Sequence, residues 1–347
     1  MEALLAAELP EGPGWQFEPK WDGFRCIAVR DGKDVALWSK SGKPLGRYFP
    51  DVADLMGRLK AKRFVIDGEL LIASGDAVSF DALQLRLHPA SSRVTKLVAA
   101  SPASFMAFDC LASGSAMLAG KPLADRRAAL EKILAGENEP QLLLSPATTD
   151  RSVALEWLKG SGGALDGVIA KRLDDAYRAG ERAMIKVKPI RTADCVVGGF
   201  RYASNSEHVG SLLLGLYDKA GLLHHVGFTS SLARTDREAW TKRLEPLIEA
   251  PGFTGDAPGG PSRWSTARSA EWQPLKPKIV VEVAYDQVTG GRFRHGTKLL
   301  RERPDKAPEQ CRCDQLSPAL TPAQLRELTG DHASQSITGE PLINSVD

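Results

Sequence analysis

The sequence predicts an α+β fold in two parts, and three observations carry that expectation. Short strand-like runs, the first two joined through Asp31-Gly32, are interleaved with amphipathic helices over residues 1–190. Around Pro189 to Thr192 the pattern turns to strands with glycine turns and a single helix. The chain has 347 residues, and at about 150 residues per domain that favours two domains. The predicted boundaries are a first domain over 1–190, a second over 191–310 and a polar tail over 311–347.

In chain order, Trp15 and Phe17 alternate ahead of Lys20, and Cys26 to Val29 and Val35 to Trp38 read as an antiparallel hairpin. Val52, Leu55, Met56 and Leu59 keep helical spacing behind Pro50 and Asp51. Phe80, Leu83, Gln84 and Leu87 keep it after Ser79, an expected N-cap. Phe64 to Ile66, Leu70 to Ala73, Phe105 to Leu111, Leu142 to Leu144 and Val168 to Ala170 read as strands. Helices near Asp125 to Leu134 and Ser152 to Leu158 separate the later ones. Beyond Thr192 the strands are Cys195 to Tyr202, Leu212 to Tyr217, Leu222 to Thr229, Ile279 to Tyr285 and a basic run at Phe293 to Leu300. One helix is expected to open on a capping box of Thr235 and Glu238. Five strands and one helix in about 110 residues fit a small Greek-key barrel of the OB type. Pro251 to Pro261 reads as a loop, and the residues after Asp331 as a loosely ordered tail.

Composition excludes several classes. Apolar residues at 43% and charged residues at 25% rule out collagen-like, disordered and disulfide-scaffold chains. No apolar run approaches the roughly 18 residues of a membrane helix. Glu2, Glu8 and Glu11 precede the first basic residue, Lys20, unlike a signal peptide, so a cytoplasmic location is expected. Cysteines at 26, 110, 195, 311 and 313 suit free thiols, and the single residue between Cys311 and Cys313 is not a usual zinc spacing. A net charge of +2 says little about partners. Its distribution says more: basic residues gather between Lys171 and Arg191 and again between Arg292 and Lys306, as a phosphate-facing surface would need.

The chemistry lies in scattered acids and lysines. Alone, Lys20 reads as a surface charge, and each acid as a cap or salt-bridge partner. Asp67 and Glu69, however, interrupt an apolar strand, an awkward place for carboxylates unless they line a cleft. Asp166-Gly167 repeats the arrangement before Val168. Lys186 and Lys188 alternate with Ile185 and Val187, so both ammonium groups share one face. A lysine attacks phosphorus as the free amine, which neighbouring cations favour. Glu69 and Asp166 offer hard oxygen ligands to a divalent cation.

The ordered set resembles the ATP-dependent DNA ligases, and more closely their compact bacterial C type, within the nucleotidyltransferases that form a lysyl-nucleotide adduct. Lys20 to Arg25, Asp67 to Leu70, Phe105 to Leu111 with Phe108-Asp109 at its centre, Asp166 to Lys171 and Met184 to Lys188 are similar to the family's successive motifs. Arg303, Asp305 and Lys306 are similar to its closing motif. The resemblance implies an adenylation domain of antiparallel sheets with helices, followed by an OB-fold barrel. It implies ATP and Mg²⁺ or Mn²⁺ as cofactors, and nicked duplex DNA as the partner of a monomer acting in repair. Lys20 would carry the AMP, Glu18 would read the adenine amino group, Arg25 and Glu69 would contact the ribose region, and Phe108 would stack on the base. Lys171, Lys186 and Lys188 would hold phosphates, Arg182 would lie near the nucleotide and the DNA end, and Glu69 and Asp166 would serve metals. Arg303, Asp305 and Lys306 would orient pyrophosphate. Lys40 stands where the family usually has an arginine, a point charge in place of a fork. Asp166 is one methylene shorter than the usual glutamate. Only nineteen residues precede Lys20, so no leading DNA-binding domain is expected.

Two rival readings remain: an RNA ligase or GTP-using capping-type enzyme of the same superfamily, and a nick-binding module without catalysis. The closing motif disfavours an RNA ligase, Glu18 with Phe108 disfavours GTP, and the intact Lys20, Glu69, Lys186 and Lys188 disfavour a non-enzyme.

Overall fold

Asp31 and Gly32 turn the chain between β3 (Phe24–Asp31) and β4 (Asp34–Ser39), with Gly32 at φ +63 as such a turn requires. The structure, a computed structural model, describes residues 1–74, 77–161, 165–259 and 271–316. These form two compact units that part after Lys188. The tail expected after Asp331 lies outside the described residues, as does the end of the Pro251 to Pro261 loop.

The first unit holds two sheets. One runs in the order β1-β11-β10-β2, from β1 (Glu2–Ala6), β2 (Trp15–Trp21), β10 (Leu165–Arg172) and β11 (Arg182–Val187). The other follows β4-β3-β5-β7-β8, adding β5 (Arg63–Ser74), β7 (Ala103–Ser113) and β8 (Ala116–Met117), with β6 (Ala77–Val78) on β5 and β9 (Leu142–Leu144) on β7. Helix α1 (Pro50–Arg58) buries Val52, Leu55 and Met56, the face its spacing predicts. Helix α2 (Phe80–Arg86) starts where Ser79 accepts a hydrogen bond from the Ala82 amide at 3.2 Å. Then come α3 (Ser91–Ala100), α4 (Leu123–Leu134) and α5 (Arg151–Lys159). Two elements carry no periodic signal. Of α3 only Val94 is buried. β1 leaves Leu4 and Leu5 exposed and is held by parallel pairing to β11. The runs at Phe64 and Leu70, expected as two strands, are one, because β5 passes straight through Asp67-Gly68-Glu69.

The second unit is the OB-type domain. Its sheet runs β14-β13-β12-β16-β19, from β12 (Arg191–Tyr202), β13 (Val209–Tyr217), β14 (Leu223–Thr229), β16 (Val280–Tyr285) and β19 (Lys298–Glu302), with β15 (Gln273–Pro274) on β12. The basic run at Phe293 to Leu300 is not one strand. Phe293 ends β18 (Arg292–Phe293), paired with β17 (Val288–Thr289). Thr297 then donates its amide to Phe228, at 3.1 Å, and bridges Thr229, bringing the two ends of the sheet together as a barrel requires. The capping box also differs. Helix α6 (Arg237–Leu244) begins after Asp236 with no side-chain cap, because Glu238 pairs with Lys242 at 2.7 Å and the Thr235 hydroxyl bonds to Asp236. No described helix is long and apolar enough to cross a membrane.

Candidate active site

Strand alternation builds a cleft in the first unit. Phe17, Val168, Ala170 and Val187 bury one face of β2, β10 and β11 against Ala154 and Trp157 of α5. The period of two then sends Glu18, Lys20, Lys171 and Lys186 to the opposite face. On the other sheet Cys26, Ala28, Phe64, Ile66 and Leu70 enter the core, so Arg25, Asp67 and Glu69 project away from it. The two faces meet across the cleft: the Lys171 Nζ lies 4.8 Å from the centre of the Phe108 ring, and the Arg25 guanidinium 5.8 Å from it. At one end Trp21 and Leu165 pack on Leu71, Val78 and Met106, an apolar floor shared by both sheets.

Lys20 stands opposite a β-bulge. Leu165 pairs with Trp21 and Val168 with Pro19, so Asp166 and Gly167 together face the single residue between them. Gly167 has φ +133, and a Cβ there would fall 2.1 Å from the Val187 carbonyl oxygen. The bulge aims the Asp166 carboxylate at two ammonium groups, with Lys20 Nζ at 2.6 Å and Lys188 Nζ at 2.7 Å from the same oxygen. Burial, then the charges of Lys188 and Lys20, pull the Lys186 pKa below its ordinary value.

A second bulge presents Phe108. Asp67 pairs with Asp109 and Gly68 with Ala107, leaving Phe108 as the extra residue, half-buried and flanked by cations. Arg25 grips Asp67 with two parallel bonds of 3.0 and 2.6 Å and donates to the Met1 carbonyl. The Tyr177 hydroxyl donates to Asp67 at 2.7 Å. Glu69 accepts the Gly23 amide at 3.1 Å and has no ion pair among the described residues. Burial pushes its carboxyl up to about 8, against the pull of Lys20 and Arg25.

Glu18 and Lys171 form a buried pair, with both Glu18 oxygens 2.8 Å from the ammonium and the Gln16 amide donating to Glu18 at 2.7 Å. The Lys171 ammonium, expected to hold phosphate, is held by Glu18 and lies over the Phe108 ring. Lys40 pairs with Glu2 at 3.0 Å on the surface, and Arg182 is exposed in register with that same glutamate. In the second unit Arg303 meets both oxygens of Asp194 at 2.9 and 3.0 Å and also holds Asp305, while Lys306 reaches Asp194 at 2.7 Å. Arg303 pulls the Asp305 carboxyl down to about 2. Sequence reasoning missed Asp194, Tyr177 and Gln16, and left Asp67 without a role. The signal for Asp67 was present, since it shares the cleft face with Glu69. Asp194, between Ala193 and Cys195 on a buried strand, was the kind of interrupted apolar run that revealed Asp67.

The acids of the cleft offer a divalent cation one carboxyl, not a preformed cluster. Glu69 is a partly buried carboxyl without a cationic partner among the described residues, whereas Asp166 already answers two lysines. Among the described residues no three His, Cys, Asp or Glu side chains converge as a metal centre.

The family model for the ATP dependent DNA ligase domain matches residues 6–188, and that for the ATP dependent DNA ligase C terminal region matches residues 205–306. The chain belongs to the ATP-dependent DNA ligases. DNA ligase C1 of Mycolicibacterium smegmatis is 44% identical to this ligase over 331 residues, spanning 92% of this chain and 94% of its own. DNA ligase C of Mycobacterium tuberculosis is 41% identical over 326 residues, spanning 89% and 91%. A solved Lig E DNA ligase shares the fold, with a TM-score of 0.51 at 18% identity over 87% of this chain and all of that one. The family makes this chain an ATP-using enzyme of the compact bacterial kind.

Proposed function

We propose that this ligase seals nicks in duplex DNA by three nucleotidyl transfers carried through Lys20. Asp166 accepts the proton of the Lys20 ammonium. The freed amine attacks the α-phosphorus of ATP, a P–N bond forms, and the bond to pyrophosphate breaks. AMP then passes to the 5′-phosphate at the nick, which restores the amine. Finally the 3′-hydroxyl attacks that phosphate, joins the strand and releases AMP. Lys186 and Lys188 neutralise the phosphate under attack. Glu18 and Phe108 take the adenine, with Lys171 at that end of the cleft, and Arg25 and Glu69 take the ribose region. Lys40 and Arg182 receive the 5′-phosphate end, and Arg303, Asp305 and Lys306 orient the pyrophosphate. Mg²⁺ or Mn²⁺ held by Glu69 would draw charge from the phosphate oxygens. The setting we propose is DNA repair in the cytoplasm, by a monomer.

The observation that carries this reading is the Lys20–Asp166–Lys188 group, held by a bulge on the cleft face. Mixing the protein with α-labelled ATP tests it. The Lys20→Ala variant is expected to form no labelled adduct and to seal no ordinary nick, yet to join nicks that are already adenylated. Normal ATP-driven sealing by that variant would refute the mechanism.

A further inference from the structure

In the second unit the closing motif is seated on two residues, Asp194 and Gln315, that none of the motifs includes. Asp194 lies on β12, and the Gln315 side chain clasps its backbone on both sides: the Gln315 oxygen accepts the Asp194 amide at 2.8 Å, and its nitrogen donates to the Asp194 carbonyl at 3.0 Å. The carboxylate thus fixed takes the Arg303 Nη1 on both oxygens and the Lys306 ammonium on one. The remaining edge of the Arg303 guanidinium faces Asp305. Two cations and two carboxylates form a neutral group of four.

Its two acids are unequal. The Asp194 side chain is 13% exposed and its backbone is clamped, whereas the Asp305 side chain is 62% exposed. An incoming polyphosphate that competes for Arg303 displaces the solvated acid first, because that carboxylate is readily rehydrated. The clamped one stays. A guanidinium offers its donors in one plane, so a carboxylate fixed on one edge sets the direction in which the opposite edge points.

We infer that Asp194 is the positioning residue of the closing motif: it seats Arg303 and Lys306 and leaves the Asp305 edge of Arg303 to be taken by the pyrophosphate of ATP. This rests on the proposed role of the closing motif in the first transfer. Asp194 then matters for the step that expels pyrophosphate and not for joining an end that is already adenylated. Nor does it matter for holding AMP, which has no pyrophosphate.

Single-turnover kinetics on the full chain separate these steps. Asp194→Asn keeps the side chain's size and removes its charge. The expected result is a loss of at least about tenfold in the rate of Lys20 adenylation, with an unchanged rate of sealing pre-adenylated nicks and unchanged AMP affinity. Adenylation at the normal rate, or an equal loss in both reactions by a variant that melts normally, overturns the inference. Should Asp194→Asn fail to fold, Gln315→Ala decides, because it loosens the seat without touching a charge. A selective loss of adenylation then supports the inference, and no loss or a parallel loss overturns it. Absence of any adduct in the unaltered protein would instead overturn the reading of Lys20 on which the inference stands.

Discussion

Phe108 and Asp109 are neighbours in one strand with separate tasks. Asp109 is 1% exposed and receives two bonds of 2.8 and 3.0 Å from Arg126, which is itself fully buried and donates through Nη1 to the Lys121 and Asp175 carbonyls. Removing one partner leaves the other charge buried and unpaired. Asp109→Ala is therefore expected to lower stability by about 3–5 kcal/mol in urea unfolding. Phe108 is only half-buried and faces cations. Phe108→Ala is expected to shift the unfolding midpoint little and to weaken ATP binding by about tenfold, the scale of one base stacked on an aromatic ring. Normal ATP affinity in that variant would remove Phe108 from the nucleotide site. Sequence alone reads an aromatic on an apolar strand as core. What turns Phe108 outward is a bulge, and no local pattern announces it.

At the scale of elements, four Asp-Gly pairs mean two different things. Gly32 closes a hairpin and would meet nothing within 4 Å if it carried a Cβ. Gly23, Gly68 and Gly167 lie where neighbouring chains press in: a Cβ would fall 2.1 Å from the Leu70 oxygen, 2.6 Å from the Phe105 ring and 2.1 Å from the Val187 oxygen, respectively. Gly32→Ala is expected to cost about 1 kcal/mol through its positive φ. Gly68→Ala should cost about 1–3 kcal/mol through overpacking and also disturb Asp67 and Glu69 on either side. Thermal unfolding of the two variants gives the order, and a milder effect at Gly68 would contradict the close approach. Most elements were legible beforehand because their apolar residues keep a period, as in α1, or gather in a run, as in β7 and β12. β1 and α3 were not, since partners rather than a buried stripe hold them. The acid and lysine positions were legible as strand interruptions. Their pairings, such as Asp166 with two lysines or Arg303 with Asp194, were not, because residues far apart in the chain make them.

For the molecule as a whole, the small net charge conceals a strict local matching. Lys20 and Lys188 share Asp166, Lys171 rests on Glu18, Arg25 on Asp67, and Arg303 and Lys306 on Asp194. The cleft that the first unit's pairs line is closed at one end by Trp21, Leu165, Leu71, Val78 and Met106, side chains drawn from both sheets of that unit. Melting that floor is expected to part the sheets and with them the proposed nucleotide site, so that the unfolded chain holds no nucleotide. ATP at a hundred times its dissociation constant should then stabilise the non-adenylating Lys20→Ala protein by about 2.7 kcal/mol, read as a raised melting temperature. An unmoved melting curve at such an ATP concentration would mean that the folded cleft does not take ATP. Heat resistance thereby becomes a gauge of how far a preparation is already loaded. Protein isolated with AMP on its lysine should melt later than the same protein stripped by added pyrophosphate, which runs the first transfer backwards.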